Sequence, residues 1–188
     1  MYSDENPRII IMKTKILFIT SLVLITSVSF SQSKVNINNL VQYGDKMFEE
    51  NDDKPYTGIV FDLYKINGNK KLEGRYKDGL RNGKWSWWNE NGKKKSLGSY
   101  LNGDGTDKGS SGISRNGRDG LWTYWYENGQ KGEEGTYKDG KEDGLFTEWY
   151  ENGQKKEEGT FKDGKLEGLV TGWYENGRIY LQGWKIDF

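Results

Sequence analysis

The sequence has no cysteine and no histidine, and only two of its 188 residues are proline. Without cysteine the chain can form no disulfide and can receive no lipid on an N-terminal cysteine. The lack of both residue types also excludes zinc sites built on them and the commonest nucleophile–base pairs. Apolar residues make up only 33%, which argues against a thick aliphatic core. The 26 glycines and the 14% of aromatic residues are typical of many short strands joined by turns.

The chain also has no excess of either charge. Lysine plus arginine and aspartate plus glutamate each number 28, so the formal net charge is zero. A neutral chain has no long-range field that would attract nucleic acid or anionic lipid. We therefore expect no nucleic-acid partner, and charge gives no support for binding to membrane lipid.

The N-terminal region has the pattern of a secretory signal peptide over residues 12–31. A basic start at residues 12–15 precedes an apolar segment at residues 16–30, and small residues flank a cleavage point between Ser31 and Gln32. A transmembrane anchor fits less well, because this segment contains several Ser and Thr and is shorter than the roughly 20 apolar residues of a span. We expect translation to begin at Met12, with residues 1–11 a non-native extension, and we expect a soluble protein exported to the periplasm or beyond the cell.

The sequence Trp-Tyr-Glu-Asn-Gly occurs three times, beginning at Trp125, Trp149 and Trp173 and therefore at a spacing of 24 residues. A fixed period of this length indicates a repeat protein. An aromatic pair before Asn-Gly predicts a strand that enters a two-residue hairpin turn, because Asn and Gly both tolerate positive φ. The turn residues predicted in this way are Asn91, Gly92, Asn128, Gly129, Asn152, Gly153, Asn176 and Gly177.

Each repeat also contains glycine, an aromatic residue and Lys-Asp-Gly, as at residues 135–140, so that one unit holds two strands and two turns. The repeats predict an all-β domain over residues 55–188, preceded by a leader or cap segment at residues 32–54. Thirteen extra residues interrupt the period at about 102–118, and they predict an inserted loop that is either disordered or functional. Residues 181–188 begin a further strand that we expect to cap the sheet edge.

Strand alternation assigns the aromatic residues to two faces of this sheet. One face, called here the uniform face, has Leu121, Thr123 and Trp125 and the same residue types in the next two units. The opposite, variable face changes from unit to unit. Burial alone can explain aromatic residues on either face, since few aliphatic residues are available. Our hypothesis is that the uniform face builds the scaffold and that exposed aromatic residues of the variable face bind a partner, the candidates being Trp85, Trp87, Trp122, Tyr124 and Tyr126.

Residues 134–144 and 158–168, together with Trp-Tyr-Glu-Asn-Gly, resemble the MORN repeat. The resemblance is closest to the MORN variant of bacterial proteins often labelled YwqK-family antitoxins. It implies an elongated, twisted, single-layer antiparallel sheet of β-hairpin repeats. It also implies an interaction or membrane-association module that is not an enzyme and has no catalytic residue.

Carboxylates are the only abundant candidates for catalysis or metal binding. Glu127, Glu151 and Glu175 recur beside the turns, as solvated hairpin flanks do, and a repeated carboxylate is seldom a unique catalytic acid. Oxygen ligands for calcium could come from Asp104, Asp107 and Asp119 around the insertion, but their spacing matches no known calcium loop, and ordinary turn-forming Asp explains them better. We therefore predict no catalytic residue, no cofactor and no metal.

Three functions remain open on the sequence. The first is an exported, non-enzymatic scaffold that binds a protein or an envelope component through the variable face. The second is a carbohydrate- or cell-wall-binding repeat, because Trp, Tyr and Asn-Gly at short period also occur in such modules. The third is an antitoxin-like component of a toxin–antitoxin pair, which would require retention in the cytoplasm.

Overall fold

The structure, a computed structural model, describes residues 34–108 and 111–185. The predicted signal peptide, its cleavage point at Ser31–Gln32 and the extension at residues 1–11 lie outside these ranges. Within them there is no helix long and apolar enough to cross a membrane. The described chain contains one short 3-10 helix at Ile37–Asn39 and strands β1 (Lys34–Asn36), β2 (Leu40–Tyr43), β3 (Lys46–Glu49), β4 (Gly58–Leu63), β5 (Lys70–Lys77), β6 (Leu80–Trp88), β7 (Lys94–Gly103), β8 (Arg118–Trp125), β9 (Lys131–Lys138), β10 (Lys141–Trp149), β11 (Lys155–Lys162), β12 (Lys165–Trp173) and β13 (Ile179–Lys185).

Eleven of these strands form one open sheet in the order β1, β4, β5 and so on to β13. Strands β4 to β13 pair with one another in antiparallel fashion, whereas β1 pairs with β4 in parallel. Strands β2 and β3 form a separate hairpin. The prediction of an all-β sheet of antiparallel hairpin repeats is confirmed.

The turns at one end of the hairpins are two-residue turns with the sequence Asp-Gly. Asp139 and Gly140 have φ of 50° and 81°, and they join the paired residues Lys138 and Lys141. Both residues need positive φ in a turn whose twist matches that of the strands, which is why Asp precedes Gly here. Asp78-Gly79 and Asp163-Gly164 adopt the same conformation.

The Glu-Asn-Gly turns at the other end differ from the prediction. In the turn between β8 and β9, the Gly129 amide donates to the Tyr126 carbonyl and the Tyr126 amide donates to the Gln130 carbonyl. The loop therefore consists of the three residues 127–129. Within this loop only Gly129 has a positive φ, at 92°, and the φ of Asn128 is not positive. The Asn128 side chain instead accepts a hydrogen bond from the Gln130 amide at 2.8 Å. The predicted turn positions are right, and the two-residue turn type is wrong.

Side chains link each of these turns to the turn of the following unit. The Tyr126 hydroxyl donates to the Trp149 carbonyl at 2.7 Å, and Asn128 Nδ2 donates to the Glu151 carbonyl at 2.8 Å. Tyr150 and Asn152 repeat both bonds one unit later. These hydrogen bonds satisfy carbonyl groups outside the strand ladder and fix the spacing of successive hairpins.

The core lies on the variable face, where large side chains alternate with glycine from strand to strand. Trp122 is 0% exposed, and its ring lies so close to Gly98 that a Cβ there would be 2.1 Å from it. Trp85 covers Gly74 in the same way, and Phe146 covers Gly135. Each ring therefore packs on the backbone of the preceding strand, which only glycine permits. Three tyrosines complete this core. Each packs edge-on against one of these rings: Tyr76 against Trp85, Tyr100 against Trp122, and Tyr137 against Phe146.

The uniform face is more exposed than its leucines suggest. Leu121 and Leu145 are 56% and 55% exposed, because no second layer covers them among the described residues. Between them and the tryptophans, Thr123 is buried and donates to Glu134, which also accepts from Lys131 at 2.7 Å. The face that was expected to build the scaffold is thus held by small polar networks, and most of the buried aromatic surface is on the other side.

Candidate functional site

The inserted loop covers part of the variable face. It runs from the end of β7 to the start of β8, and Ile113 and Ser114 within it are buried against the sheet. The Tyr100 hydroxyl donates to the Ser114 carbonyl at 2.7 Å. Outside the undescribed residues 109–110, the loop is therefore an ordered layer over the aromatic residues of β6 to β8.

Arg118 holds this layer in place. Arg118 is 2% exposed, and its guanidinium donates to the carbonyls of Ser114 at 2.9 Å and Ile113 at 3.1 Å. The same group lies 4.4 Å from the Trp122 ring centroid and 5.0 Å from that of Tyr137. A buried cation needs such partners, because desolvation would otherwise be costly.

Beyond the loop the variable face opens into two adjoining clefts. The first has a volume of about 280 Å³, and the second about 240 Å³. Both are bordered by Arg115, Glu133, Tyr137 and Glu148. The first cleft extends toward β8 along Tyr124, Trp125 and Tyr126. The second extends toward β11 along Glu142, Phe146, Glu157 and Phe161.

The clefts contain a row of carboxylates in direct cross-strand register. Glu148 on β10 is paired with Glu133 on β9 and with Glu157 on β11. Like charges opposite one another destabilise a sheet. Lys156 offsets part of this repulsion through an ion pair with Glu148 at 2.9 Å. The repulsion within this row destabilises the sheet locally, and local features that cost stability are common at functional sites.

Burial and electrostatics shift the titration of the groups around the clefts. Burial raises the pKa of Glu133, and repulsion from Glu148 raises it further, although Arg118 opposes both. Burial also raises the pKa of Tyr137 to about 12 and that of Tyr124 well above its ordinary value. The two tyrosines are therefore neutral hydrogen-bonding groups, and the raised pKa of Glu133 marks it as a carboxylate held in an unfavourable environment for its charge.

The five predicted partner-binding residues separate into two groups. Trp85 and Trp122 are 0% exposed, which corrects the prediction that their rings are accessible: each packs on a glycine of the preceding strand. Tyr124 and Tyr126 border the first cleft. Trp87 stacks at 5.7 Å on Trp85 and borders a further cleft beneath the inserted loop. A role in binding remains a prediction for these last three.

Sequence reasoning did not identify the charged residues of the clefts. Arg118, Glu142, Glu133 and Glu148 were not singled out, because only the register between strands places them together. A comparison of aligned units would have given one signal, since Arg81, Arg118 and Glu142 occupy the same position, four residues before a core ring. In the described ranges no group of three or more acidic residues is arranged to hold a metal ion.

Comparison with models of protein families gives a match to the family described as MORN repeat variant, at residues 81–102, 118–139 and 142–163. The three matched segments coincide with the hairpins β6–β7, β8–β9 and β10–β11. The match does not extend to the narrower YwqK-family label. Comparison with curated proteins gave no match.

Proposed function

Because residues 81–163 contain three MORN repeats of the variant type, we propose that the chain is an exported, non-enzymatic scaffold that binds a protein or envelope component. Repeats of this kind suggest a protein that binds other molecules. The narrower proposal places the binding surface on the variable face, at the two clefts beside the inserted loop.

One observation supports this choice of surface above the others. The clefts bring the partly exposed Tyr124 and Tyr126 together with Arg115 and Glu133 in a concave surface on a rigid sheet. Aromatic and charged side chains around a recess are the usual composition of a binding site, and tyrosine and arginine are frequent in the centres of interfaces. The uniform face has exposed leucines but mostly self-paired charges.

Export is supported by the sequence of residues 12–31. Fractionation of cells expressing the tagged protein tests it. We expect an envelope or extracellular form whose N-terminal residue is Gln32, and replacement of Leu22 and Leu24 by arginine should keep the protein inside the cell. Recovery of the wild-type protein only from the cytoplasm, with residues 12–31 intact, would instead favour the antitoxin-like function.

Crosslinking on cells tests the binding surface. A photoreactive amino acid at Arg115 should crosslink to a discrete partner, and Tyr124→Ala should remove that product. Leu121→Ala is the matched control, because Leu121 is on the same strand but exposed on the opposite face. Equal loss of the product in both variants, or in neither, would contradict the assignment to the variable face.

A further inference from the structure

The variable face already binds two guanidinium groups that belong to the chain itself. Arg81 lies 4.7 Å from the Trp85 ring and 5.4 Å from the Tyr100 ring. Arg118 lies over Trp122 and Tyr137 in the next unit. In both units the arginine comes four residues before the first ring, and the second ring is on the following strand. The repeat therefore builds a pair of rings that accepts a guanidinium.

The third unit has the same pair of rings without the arginine. Phe146 and Phe161 stand edge to face at a centroid distance of 5.1 Å, as Trp122 and Tyr137 do at 6.3 Å. Glu142 occupies the position of Arg81 and Arg118. Over the described ranges no lysine or arginine is stacked on either phenylalanine ring, and Arg115 only borders the same cleft.

The second cleft surrounds this ring pair with negative charge. Its volume of about 240 Å³ is several times the ~30 Å³ that one water occupies in the liquid, which leaves room for a side-chain head group. Glu133, Glu142, Glu148 and Glu157 border it, against a single arginine, Arg115. Among these four carboxylates the described contacts show an ion pair only for Glu148.

The chemistry of the walls selects the kind of cation. A metal ion would need oxygen ligands that converge, and the described carboxylates do not form such a group. Aromatic rings beside carboxylates instead suit an organic cation, which can stack on a ring and donate hydrogen bonds at its edge. Arginine fits better than lysine, since its planar fork pairs with a carboxylate through two bonds and stacks at the same time.

We propose that the Phe146–Phe161 ring pair and the surrounding carboxylates bind an arginine side chain of the protein partner. The bound guanidinium takes the place that Arg81 and Arg118 take in the two preceding units, with Glu142 and Glu148 as its hydrogen-bond acceptors. This inference rests on the proposed function and names the chemistry by which that surface recognises its partner.

Titration with a synthetic peptide tests the inference directly. The probe is a capped Gly-Ser-Arg-Ser-Gly peptide added to the full chain, with the ring-proton resonances of Phe146 and Phe161 as the readout. The matched control peptide contains citrulline, which has nearly the same shape without the charge. We expect saturable shifts of both rings with arginine, and binding weaker by roughly tenfold with citrulline, because hydrogen bonds to charged groups are the stronger class. Equal affinity for the two peptides would overturn the inference.

A substitution at Glu142 restores the arginine that the two preceding hairpins have at this position, and it provides a second test. Glu142→Arg places the chain's own guanidinium over Phe146 and Phe161, so it should abolish peptide binding while the Tm stays at or above that of the wild type. Glu127→Arg makes the same charge change on an exposed turn and should alter binding by less than about twofold, since exposed charges at a distance are screened. Equal effects of the two substitutions would mean that only overall charge matters, and would refute the site.

The outcomes separate this inference from the function on which it rests. If Tyr124→Ala removes the crosslinked partner but neither peptide shifts the phenylalanine rings, the variable face binds a partner and the arginine assignment is wrong. If the arginine peptide binds and Glu142→Arg blocks it, yet crosslinking is unchanged by Tyr124→Ala, the cleft recognises arginine and the proposed partner surface is wrong.

Discussion

The contact between each core ring and the glycine beneath it predicts a graded response to a single added methyl group. Gly98→Ala is a severe case, because the new Cβ would lie 2.1–2.7 Å from three atoms of the Trp122 ring. The backbone at Gly98 is outside the positive-φ region, so the clash is with the ring and not with the conformation of the chain. Trp122 must therefore move.

The size of the effect follows from what Trp122 would lose. Overpacking of a core costs about 1–3 kcal/mol, and the hydrogen bond from Trp122 Nε1 to the Ser99 carbonyl, 3.1 Å long, contributes about 1 kcal/mol more. Each kcal/mol lowers the Tm of a chain of this size by about 2–4 °C. We expect Gly98→Ala to lower the Tm by on the order of 10 °C.

The chain contains its own control at the same position of a later unit. Gly183 has no heavy atom within 4 Å of where its Cβ would be, so Gly183→Ala adds a methyl group to open space. It should be neutral or slightly stabilising, because alanine loses less backbone entropy in a strand than glycine does. Thermal unfolding followed by circular dichroism compares the two. If Gly98→Ala lowers the Tm no more than Gly183→Ala does, the rings do not depend on glycine.

Two further predictions concern the carboxylate row and the turns. Burial and repulsion from Glu148 raise the pKa of Glu133, so its contribution to stability is full below the unfolded-state pKa and is lost as the pH rises through the folded-state pKa. Glu133→Gln should therefore raise the Tm at pH 7 and leave it nearly unchanged at pH 4 in a thermal-shift assay; an equal gain at both pH values would count against this. Asn128→Ala should cost about 1 kcal/mol more than Asn176→Ala in urea denaturation, since Asn128 also donates to the Glu151 carbonyl and no such bond is described for Asn176. Equal costs would mean that the bonds between turns contribute little.

The period of the sequence was enough to predict the sheet, because strand alternation and turn residues recur at fixed spacing. The type of the Glu-Asn-Gly turn was not predictable from Asn-Gly alone. The same dipeptide suits a two-residue turn or a three-residue loop. In the first, the backbone of Asn128 would have positive φ; in the second, which is observed, its side chain accepts a hydrogen bond from the Gln130 amide. Lys-Asp-Gly, flanked by residues that pair directly, is where the two-residue turn occurs.

The assignment of the core needed information that one strand does not contain. Leu121 and Leu145 look like core residues in the sequence, whereas the glycines that make room for Trp85 and Trp122 are on neighbouring strands. Cross-strand register, with a bulge in most strand pairs, decides which residues meet. The same holds for Glu133, Glu148 and Glu157, which lie on three successive strands and become direct neighbours only through the register of the sheet.

The side chains that cover the strand glycines change along the chain from aromatic to aliphatic, from Trp85 on Gly74 and Trp122 on Gly98 to Phe146 on Gly135 and then Leu166 and Val170 on Gly159. In an array where each repeat is stabilised mainly by its neighbours, this gradation sets the local free energy of opening. Amide hydrogens should therefore exchange slowest in β6 to β8 and progressively faster toward β13. If this expectation holds, the clefts lie where the more stable strands meet the less stable ones, and a partner bound there would also stabilise the C-terminal strands.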